Sequence, residues 1–526
     1  MVIQGSRRRF LGASAATGSL LLLGTRASRA IAGSSDRVRI AVIGLNGRGK
    51  SHLAGFGGIP GVEIATVVDP DQKVLDRTLA ELAKKAGDAP LATKGEKDFR
   101  RVLDDKSIDA ITVATPNHWH SLMTIMGAQA GKHVYVEKPL SHDVVEGRVA
   151  VEAQKKYGVV VQHGTQRRSN AGIAGLHEAL KNGTLPKLKI AYGYCCKPRG
   201  SIGTKPDGDP PATLDWDLWK GPAVIDHYNA NLVHYNWHWF WKTGNGDLNN
   251  QGTHQLDVAR WAIDDDQTHP VRALAIGGRF LWNDQGETPN TMFSMAEYPN
   301  GQIVLFNVRN VNYKGYEGQV FNEYYLEDGS VITGEGTYKI RRPGSTEAED
   351  LKLPAGKVTP GGEWGSFISA VRAGDPTRAN GNVLDAHYGC VLGHLMNNSY
   401  RLGTEVPFDA KAARFGDRKD VAEHFETFHA IMRDGVGIPA DGATYRLGPT
   451  LTFDPSTERH TGEYADAANA LLKEPNNKGF AVPHAAGIRP SPGIRPSPGI
   501  RPSPGIRPSP GTRVSPANGR PRTGIL

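Results

Sequence analysis

The feature that most constrains the fold of this chain is a short glycine-rich turn between an apolar run and a helical pattern. The turn, residues 44–49, reads Gly-Leu-Asn-Gly-Arg-Gly. Residues 38–43 before it are typical of a buried strand, and residues 50–56 after it are typical of a helix. A strand, a tight turn and a helix in this order begin a β-α-β unit, so we expect a parallel sheet near the start of the folded chain.

The same turn matches a dinucleotide fingerprint. Gly44, Asn46 and Gly49 occupy the three glycine positions of G-x-G-x-x-G. Asn is an acceptable middle residue because it enters left-handed backbone conformations more readily than most side chains. The helix N-terminus would offer the free N–H groups near Gly47 and Arg48 to a pyrophosphate. A turn without a ligand is the alternative for an isolated fingerprint, but the flanking strand and helix favour a dinucleotide.

An acidic residue supports the choice of cofactor. Residues 62–68 form the next predicted strand, which ends in Asp69, twenty residues after Gly49. A carboxylate there can accept hydrogen bonds from both ribose hydroxyls of the adenosine. Because it would repel a 2′-phosphate, the sequence favours NAD over NADP.

Strand and helix patterns alternate for about 130 residues and then stop. Helices are predicted over residues 72–85, 96–103, 118–130 and 143–157, and strands over residues 108–114, 133–137 and 159–163. Strand patterns return at residues 271–280, 291–298, 302–307 and 320–325. The predicted class is α/β, with an NAD(P)-binding Rossmann domain over residues 33–163. A C-terminal α+β domain over residues 164–484 would carry a large, mostly antiparallel open sheet with helices on one face.

Both ends of the chain differ in composition from the rest. Residues 6–11 show a twin-arginine pattern, followed by an apolar stretch over residues 11–23 and by small residues suited to cleavage near Ala30 or Ala32. Residues 1–32 are therefore predicted to be a twin-arginine signal peptide, and the mature protein to be periplasmic. An uncleaved anchor would leave the protein facing the same compartment.

The other end is a repeat. Gly-Ile-Arg-Pro-Ser-Pro occurs four times over residues 487–510 and a degraded copy follows. Frequent proline removes backbone donors, and little apolar mass is available to bury, so residues 485–526 are predicted to be a disordered tail. It could touch acidic cell-wall polymers or have no role.

Charge and cysteine content exclude several functions. Of the net charge of +8, the first 32 residues supply five arginines and the last 42 supply seven, which leaves −4 for the body. We therefore expect no nucleic-acid-binding groove. The three cysteines, which we expect to be buried thiols, form no disulfide framework, and no Cys/His spacing predicts a metal site.

Several motifs together resemble the glucose-fructose oxidoreductase, inositol dehydrogenase and rhizopine-catabolism (Gfo/Idh/MocA) oxidoreductases over residues 37–483. They are the glycine turn, Thr-Pro-Asn-His-Trp-His at residues 115–120, Gly-Lys-His-Val-Tyr-Val-Glu-Lys-Pro at residues 131–139, and Gly-Thr-His-Gln-Leu-Asp at residues 252–257. The segments at residues 164–169 and 244–247 are similar to a secreted branch of that family. The resemblance implies a bound nicotinamide cofactor, a sugar or polyol substrate, and a homo-oligomer such as a dimer or tetramer.

The resemblance also implies roles for residues. Lys138 would hydrogen-bond the reacting oxygen, where its charge favours the alkoxide that develops as hydride leaves. His254 would exchange the hydroxyl proton, and a structural histidine is the alternative. The remaining cofactor contacts implied are Thr115, Pro116, Asn117, His120 and Glu137, with Glu137 beside the nicotinamide ribose.

One position departs from the family pattern. The aspartate expected four residues before the histidine is Asn250, which can orient an imidazole but cannot stabilise its charged form. Asp247 or Asp257 could take the acidic role. The departure leaves room for a cycle in which transient oxidation of a sugar permits cleavage of a glycosidic bond, and for a non-catalytic carbohydrate-binding protein.

Substrate contacts are predicted from an aromatic-rich segment. Six of the nine tryptophans fall between residues 216 and 261. The face of Trp237 suits a pyranose ring, while Arg167, Arg168 and His238 could hydrogen-bond its hydroxyls, with Asn250 and Asp257 close by. Sheet or interface packing is the alternative for the tryptophans, and pairing with carboxylates is the alternative for the two arginines.

Overall fold

The computed structural model describes residues 37–311, 319–413, 415–416 and 418–480. Its first six strands form one sheet in which every neighbouring pair is parallel, in the order β3-β2-β1-β4-β5-β6. They are β1 Val38–Ile43, β2 Val62–Val68, β3 Lys94–Glu96, β4 Ala110–Val113, β5 His133–Val136 and β6 Val161–His163. This order reverses direction between β1 and β4, and such a reversal opens a ligand crevice at the carboxyl ends of the strands.

Five helices connect these strands. They are α1 Gly49–Gly57, α2 Gln72–Ala86, α3 Phe99–Asp104, α4 Asn117–Gln129 and α5 Val144–Tyr157. Asp71, Asp98 and Asp143 begin α2, α3 and α5, and each side chain accepts a hydrogen bond from a backbone N–H of its helix. The predicted α/β class with a Rossmann-type sheet is confirmed.

The prediction was wrong in one element of this sheet. Residues 96–103 were expected to be a single helix, but the chain forms β3 first and starts α3 only at Phe99. β3 has three residues, reads Lys-Gly-Glu and pairs only with β2, so it carries no hydrophobic alternation that a sequence pattern could show.

The second sheet has twelve strands. It runs in the order β16-β15-β14-β13-β7-β12-β11-β10-β18-β17, with β19 beside β10 and β20 beside β19. Its strands are β7 Leu188–Cys196, β10 Arg272–Gly278, β11 Thr291–Glu297, β12 Ile303–Arg309, β13 Gln319–Leu326, β14 Val331–Gly334, β15 Tyr338–Arg341, β16 Ala348–Leu351, β17 Thr404–Pro407, β18 Thr444–Leu447, β19 Leu451–Asp454 and β20 Arg459–Thr461. Among the described strands of this sheet, β7 and β12 are the parallel pair and the other pairs are antiparallel. The predicted mostly antiparallel sheet is confirmed.

The remaining described elements lie in the connections. A small ribbon pairs β8 Asp207–Gly208 with β9 Tyr228–Asn229. The helices are α6 Ala171–Lys181, α7 Trp216–Lys220, α8 Gly246–Asn249, α9 Gly252–Ala262, α10 Gly362–Ala373, α11 Val383–Arg401, α12 Lys419–Ala430 and α13 Ala465–Ala470.

Helices cover both faces of the central strands of the second sheet, whereas the sequence predicted helices on one face. Successive side chains of β12 point to opposite faces of the sheet. Val304 and Phe306 pack against α6, α9 and α11 on one face, while Ile303 and Leu305 pack against the segment that contains α12 on the other. Phe425 of α12 is buried against this outer face. Both faces of the central strands are therefore covered, while exposed residues alternate along β15 and predominate in β16 at one end of the sheet.

Helices α10 and α11 return from the second sheet to the first. Phe367 of α10 is fully buried against β1, β4 and β5, in ring contact with Phe56 and Tyr135. Helix α11 packs against both α5 and α9. These returning helices hold the first sheet against the second half of the chain.

Several sequence predictions fall at the limits of the described chain. The predicted signal peptide, residues 1–32, and the predicted tail, residues 485–526, lie outside the described residues. The boundaries of 33–163 and 164–484 for the two domains stay a prediction. Cys195, Cys196 and Cys390 are buried and form no disulfide. No helix among the described residues has the length and apolar character needed to cross a bilayer.

We expect Phe367→Ala to lower the free energy of unfolding by about 3–5 kcal/mol, because it empties a buried aromatic site. Chemical denaturation followed by tryptophan fluorescence measures this change. The matched variant Leu281→Ala removes a side chain that is 57% exposed and should change stability by no more than about 0.5 kcal/mol. Equal losses in both variants would contradict the packing described for α10.

Candidate active site

A single deep cleft lies along the carboxyl ends of β1, β2, β4 and β5. The cleft encloses about 360 Å³, which is within the roughly 300–1,000 Å³ of ordinary small-ligand pockets. Its walls contain most of the residues that the sequence predicted to bind a cofactor: Gly44, Asn46, Gly47, Arg48, Asp69, Thr115, Pro116, Asn117, His120, Glu137 and Lys138. The structure thus brings together motifs that are up to about ninety residues apart in the chain.

The glycine turn is shaped by two close contacts. Gly44 has a φ of +86°, and a Cβ atom there would lie 2.6 Å from the carbonyl oxygen of Ala114. A Cβ atom on Gly49 would lie 1.8 Å from the carbonyl oxygen of Gly44, so the helix can start this close to the strand only without a side chain. Gly49 itself lies behind the cleft wall.

The reason given for Asn46 from the sequence was wrong. The described residues other than glycine with positive φ are Leu281 and Glu458, so Asn46 does not use a left-handed conformation. Instead its side-chain oxygen accepts a hydrogen bond of 2.9 Å from Arg77. The asparagine is tolerated because its side chain turns toward α2.

Asp69 closes the wall of the cleft at the end of β2. Its two carboxylate oxygens accept hydrogen bonds from the backbone N–H groups of Leu45 at 2.9 Å and Asp71 at 3.0 Å. These bonds fix the carboxylate beside the glycine turn, and burial raises its pKa. The remaining acceptor sites of the two oxygens are suited to ribose hydroxyl groups.

Glu137 is the centre of a buried ionic cluster under the cleft floor. Its carboxylate accepts hydrogen bonds from Arg48 Nε at 2.7 Å and from the His52 ring at 3.3 Å, and Arg48 also binds Glu363 at 2.9 Å. Burial would raise the pKa of Glu137, but its hydrogen bond with His52 and the charges of His52, Arg48 and Lys138 hold it well below its usual value. Arg48 therefore lies in the wall with its guanidinium engaged by carboxylates.

Lys138 presents one free N–H to the cleft. Its ammonium donates hydrogen bonds to the backbone oxygen of Asn250 at 2.9 Å and to the side-chain oxygen of Asn250 at 3.1 Å. An ammonium has three donors, so one remains for a ligand in the cleft. Burial lowers the pKa of Lys138, while the charges of Glu137 and Asp247 oppose that shift.

His254 lines the same part of the cleft from the first turns of α9. Its Nδ1 atom is buried and has no hydrogen-bond partner among the described residues. Burial lowers the pKa of His254 well below its usual value, and the Lys138 ammonium lowers it further. A lowered pKa favours the neutral imidazole, in which one of the two ring nitrogens is an acceptor.

The pairing expected between Asn250 and His254 does not form. Asn250 was expected one helical turn before the histidine, but it lies in a break between α8 and α9 with ψ of −89°. From this break its side chain bonds Lys138 and Asp247. Asn250 therefore orients the lysine rather than the imidazole.

The segment at residues 115–120 forms the opposite wall. Asn117 donates a hydrogen bond of 3.1 Å to Asn245, and Thr115 contacts Met123. The two ring nitrogens of His120 lie 2.6 Å from the carbonyl oxygen of Pro139 and 2.8 Å from that of Thr115. His120 thus ties the start of α4 to the Lys138-Pro139 segment and supports the position of Lys138.

Three residues predicted to contact the substrate lie elsewhere. Arg168 forms two hydrogen bonds with Asp257, at 2.8 and 3.0 Å, and a third with Asp385. Arg167 forms an ion pair with Glu335 at 2.7 Å. Arg167, Arg168 and Asp257 are not in the cleft wall, and pairing with carboxylates, the alternative interpretation of the arginines, describes them better.

The aromatic segment contributes more to the cleft than the sequence indicated. Trp237 and His238 line it as predicted, with their rings stacked at 3.6 Å, and burial lowers the pKa of His238 to about 3. Trp239 and Trp241 instead pack under arginines. The sequence analysis missed four further lining residues of this segment: Leu218, Trp219, His234 and Tyr235.

Residues 211–238 cross the mouth of the cleft and are here called the strap. Both ends of the strap are attached to the segment that follows β2: the backbone N–H of Gln72 donates to the carbonyl oxygen of Thr213, and the His234 ring lies 3.0 Å from the Asp71 carboxylate. The other wall holds it through Trp119, whose indole N–H donates to the carbonyl oxygen of Trp219 at 2.9 Å. The aromatic residues of this segment, which we predicted to bind sugar, therefore also enclose the cleft.

A second cluster of titratable groups lies away from the cleft. His269 and His387 each place a ring nitrogen within 2.9 Å of the Glu458 carboxylate, so the three could in principle hold a metal ion. Arg148 already binds this carboxylate through its guanidinium. Because a cation occupies the acceptor, the cluster is better described as an ionic joint between α5, α11 and the β19–β20 hairpin.

Two family models match the chain. One, described as an oxidoreductase family with an NAD-binding Rossmann fold, matches residues 38–165, and the other, described as the C-terminal α/β domain of an oxidoreductase family, matches residues 199–324. Both carry the Gfo/Idh/MocA designation. The predicted NAD-binding Rossmann domain is confirmed.

Individual relatives are sugar-active and polyol-active proteins. Levoglucosan dehydrogenase of Pseudarthrobacter phenanthrenivorans is 26% identical over 314 residues, which cover 56% of this chain and 73% of that protein. The NAD-dependent scyllo-inositol 2-dehydrogenase of Bacillus subtilis is 32% identical over 34% of this chain, and a glycosyl hydrolase family 109 protein of a Shewanella species is 38% identical over 22%. The matches span 47% and 26% of those two relatives.

Solved structures share the fold. A putative NADPH-dependent oxidoreductase from Desulfitobacterium hafniense aligns with a TM-score of 0.52 at 15% identity, covering 70% of this chain and 96% of that chain. Levoglucosan dehydrogenase in complex with NADH aligns with a TM-score of 0.50 at 16% identity, covering 68% of this chain and 96% of that one.

We expect Gly44→Ala to abolish nucleotide retention, because a side chain there meets the Ala114 carbonyl and a left-handed backbone disfavours alanine. Nucleotide released by denaturing the purified protein measures the effect. Gly57 ends α1 outside the cleft wall, and a Cβ atom there would lie 3.8 Å from its nearest neighbour, so Gly57→Ala should keep its nucleotide and serves as the control. Full nucleotide content in Gly44→Ala would refute the assigned role of the turn.

Proposed function

Because the chain belongs to the Gfo/Idh/MocA oxidoreductase family, we propose that it is an exported dehydrogenase that removes hydride from a hydroxyl-bearing carbon of a sugar, polyol or glycoside. The observation that carries this proposal is the convergence of two groups in one cleft. The Lys138 ammonium, with one N–H left for a ligand, and the His254 ring both line the cleft that also contains the glycine fingerprint.

The residues of the cleft fit NAD. Gly44 and Gly49 allow the backbone approach that a pyrophosphate needs, and Asp69 stands at the position for the ribose hydroxyls. Asp69 would repel a 2′-phosphate, which supports NAD rather than NADP. Bound there, NAD supplies the acceptor for the hydride.

Two protein side chains interact with the reacting hydroxyl group, one with its oxygen and one with its proton. Lys138 donates its third N–H to the substrate hydroxyl oxygen and stabilises the negative charge that develops on it. His254 accepts the hydroxyl proton, which its neutral state permits. The substrate carbon loses a hydride and the oxygen loses a proton, so the products are a carbonyl compound and a reduced nicotinamide.

We expect Lys138→Met to lower turnover by about 10²–10³-fold or more while the nucleotide stays bound, because one donor to the developing oxyanion is lost. Turnover is measured over a panel of saccharides and polyols by the absorbance of reduced nicotinamide and by mass spectrometry of keto products. Lys132→Met is the matched control. Lys132 is also a buried lysine, but it donates to the carbonyl oxygens of Asp105 and Ile108 outside the cleft.

The control should retain wild-type turnover per folded molecule. If wild type and Lys138→Met bind a saccharide equally and neither converts it, the protein is a carbohydrate-binding protein of the same fold and the dehydrogenase proposal fails.

A second candidate is a redox-neutral enzyme that cleaves a glycosidic bond on a retained nucleotide. In that cycle, oxidation of a hydroxyl carbon acidifies the neighbouring C–H, the glycosidic group leaves by elimination, water adds, and the returned hydride restores the oxidation state. The strap supports retention, because it is fastened to both walls of the cleft. The similarity to a glycosyl hydrolase family 109 protein over 117 residues agrees with this candidate.

We expect the bound nucleotide to stay with the wild-type protein through dialysis and Trp219→Ala to release it at least about tenfold faster. Trp219 is 5% exposed and packs with Leu214, Leu232 and Trp237 in the strap, so its loss loosens the cover. Displacement of bound nucleotide by an excess of labelled NAD measures the rate. Trp241→Ala, which changes a tryptophan outside the cleft wall, is the control, and rapid release from the wild type would exclude the retained-nucleotide cycle.

We propose that the mature protein acts in the periplasm after twin-arginine export as a folded protein. The arginine pair and apolar stretch in the first 32 residues support this location. Export of a folded protein suits an enzyme that acquires its nucleotide before leaving the cytoplasm. Assembly as a homo-oligomer remains part of the proposal, and the half-exposed strands β15 and β16 are better suited to such contacts than the covered central strands of the second sheet.

A further inference from the structure

A buried carboxylate lies directly behind Lys138 and Asn250. The Asn250 side chain, whose oxygen accepts from Lys138, donates through Nδ2 to Asp247 Oδ1 at 3.0 Å. The side chain of Asp247 is fully buried. A chain of hydrogen bonds therefore runs from the ammonium in the cleft to an acid that does not itself reach the cleft.

Asp247 is fixed in place by three hydrogen bonds from two other residues. Arg199 binds it with two hydrogen bonds of 2.9 Å, one to each carboxylate oxygen, and Asn310 donates a third of 2.6 Å. A buried carboxylate needs such compensation, and a bidentate guanidinium supplies it with fixed geometry. Arg199 is itself fixed by Tyr235 and by the face of Trp239.

We propose that Asp247 is a positioning residue that acts through Asn250 to keep the Lys138 side chain charged and directed at the reacting oxygen. The inference rests on the proposed function, because it specifies what supports the catalytic lysine. Asp247 does not replace the missing family aspartate as a partner of His254, since its contacts run to Asn250, Arg199 and Asn310.

The charge balance around Lys138 supports this assignment. Burial lowers the pKa of Lys138, and Glu137 and Asp247 are the nearby charges that raise it, in that order. The other charged or titratable groups that act on or beside Lys138 are Arg48, Lys197, His120, His163, His238 and His254, and the two cations lower its pKa. Without Asp247 the ammonium would face more positive than negative neighbours.

The identity of residue 250 follows from the same arrangement. The Asn250 side-chain nitrogen is 3.0 Å from an Asp247 oxygen, and two carboxylates at that distance cannot both ionise. An amide donates to Asp247 and accepts from Lys138 at the same time, which a carboxylate cannot do. Asn250 is thus the residue that a carboxylate at position 247 requires.

The test compares the full mature protein with Asp247→Asn. Lys138 is titrated by its rate of modification with an amine-reactive reagent at a series of pH values, followed by mass spectrometry of the peptide that contains it. The double variant Asp247→Asn/Arg199→Met removes both members of the ion pair and so leaves no unpaired buried charge if the single variant fails to fold. Asp284→Asn is the matched control, because Asp284 is a buried carboxylate paired with Arg279 outside the cleft.

We expect the midpoint of Lys138 modification to fall by at least about one pH unit in Asp247→Asn and to fall in the double variant, with no change in Asp284→Asn. The alkaline limb of the turnover profile should move in the same direction, since removing a negative charge makes the ammonium lose its proton at lower pH. Unchanged midpoints in both Asp247 variants would overturn the inference. If the midpoint shifts in the Asp247 variants but the wild-type protein converts no saccharide, the inference stands and the proposed function is rejected.

Discussion

The two hydrogen bonds from Lys138 to Asn250 join the two halves of the molecule at the site. Lys138 follows β5 of the parallel sheet, and Asn250 lies in the break between α8 and α9, 112 residues later in the chain. If Asn250 continued a regular helix, its backbone oxygen would already accept a hydrogen bond within that helix and would be less available to the lysine. The break therefore leaves the backbone oxygen of Asn250 available to the Lys138 ammonium. This contact forms only if α8 and α9 are correctly placed against the first sheet.

Returning elements secure that position. Phe367 of α10 packs against the β-strands beneath the cleft, and Glu363 at the start of the same helix binds Arg48. Arg48 in turn holds Glu137, the neighbour of Lys138. A single segment thus supports the floor of the cleft by apolar burial and by an ion pair, while the strap covers the cleft from the other side. Both features come from residues far from the glycine turn, so the parallel sheet and its own helices would by themselves leave the cleft open.

Local patterns predicted the first half of the fold well. The alternation of strands and helices, the glycine turn and the position of Lys138 after a strand are short-range features, and the structure places each of them at the expected edge of the sheet. The three-residue strand β3 escaped prediction because it has no apolar residues to show a period. Asn46 was placed correctly but for the wrong reason, since its conformation depends on Arg77, thirty-one residues away. The covered outer face of the second sheet, the strap and the pairing of Arg168 with Asp257 depend on contacts between distant segments, which no local period encodes.

The arrangement around Lys138 shows why an amide can stand where the family uses an acid. A carboxylate in direct contact would neutralise the ammonium and weaken its attraction for a developing oxyanion in the cleft. Asn250 instead accepts two of the three lysine N–H groups without adding charge. The compensating carboxylate of Asp247 is the next group in the hydrogen-bond chain, on the far side of Asn250 from the lysine, and Arg199 fixes it there. No carboxylate in direct contact through Asn250 neutralises the ammonium, so its positive charge can act on the substrate, while the counter-ion Asp247 lies further away. In the proposed mechanism, a lysine held in this way acts mainly as an electrostatic donor, and His254, whose Nδ1 atom has no hydrogen-bond partner among the described residues, would accept the proton.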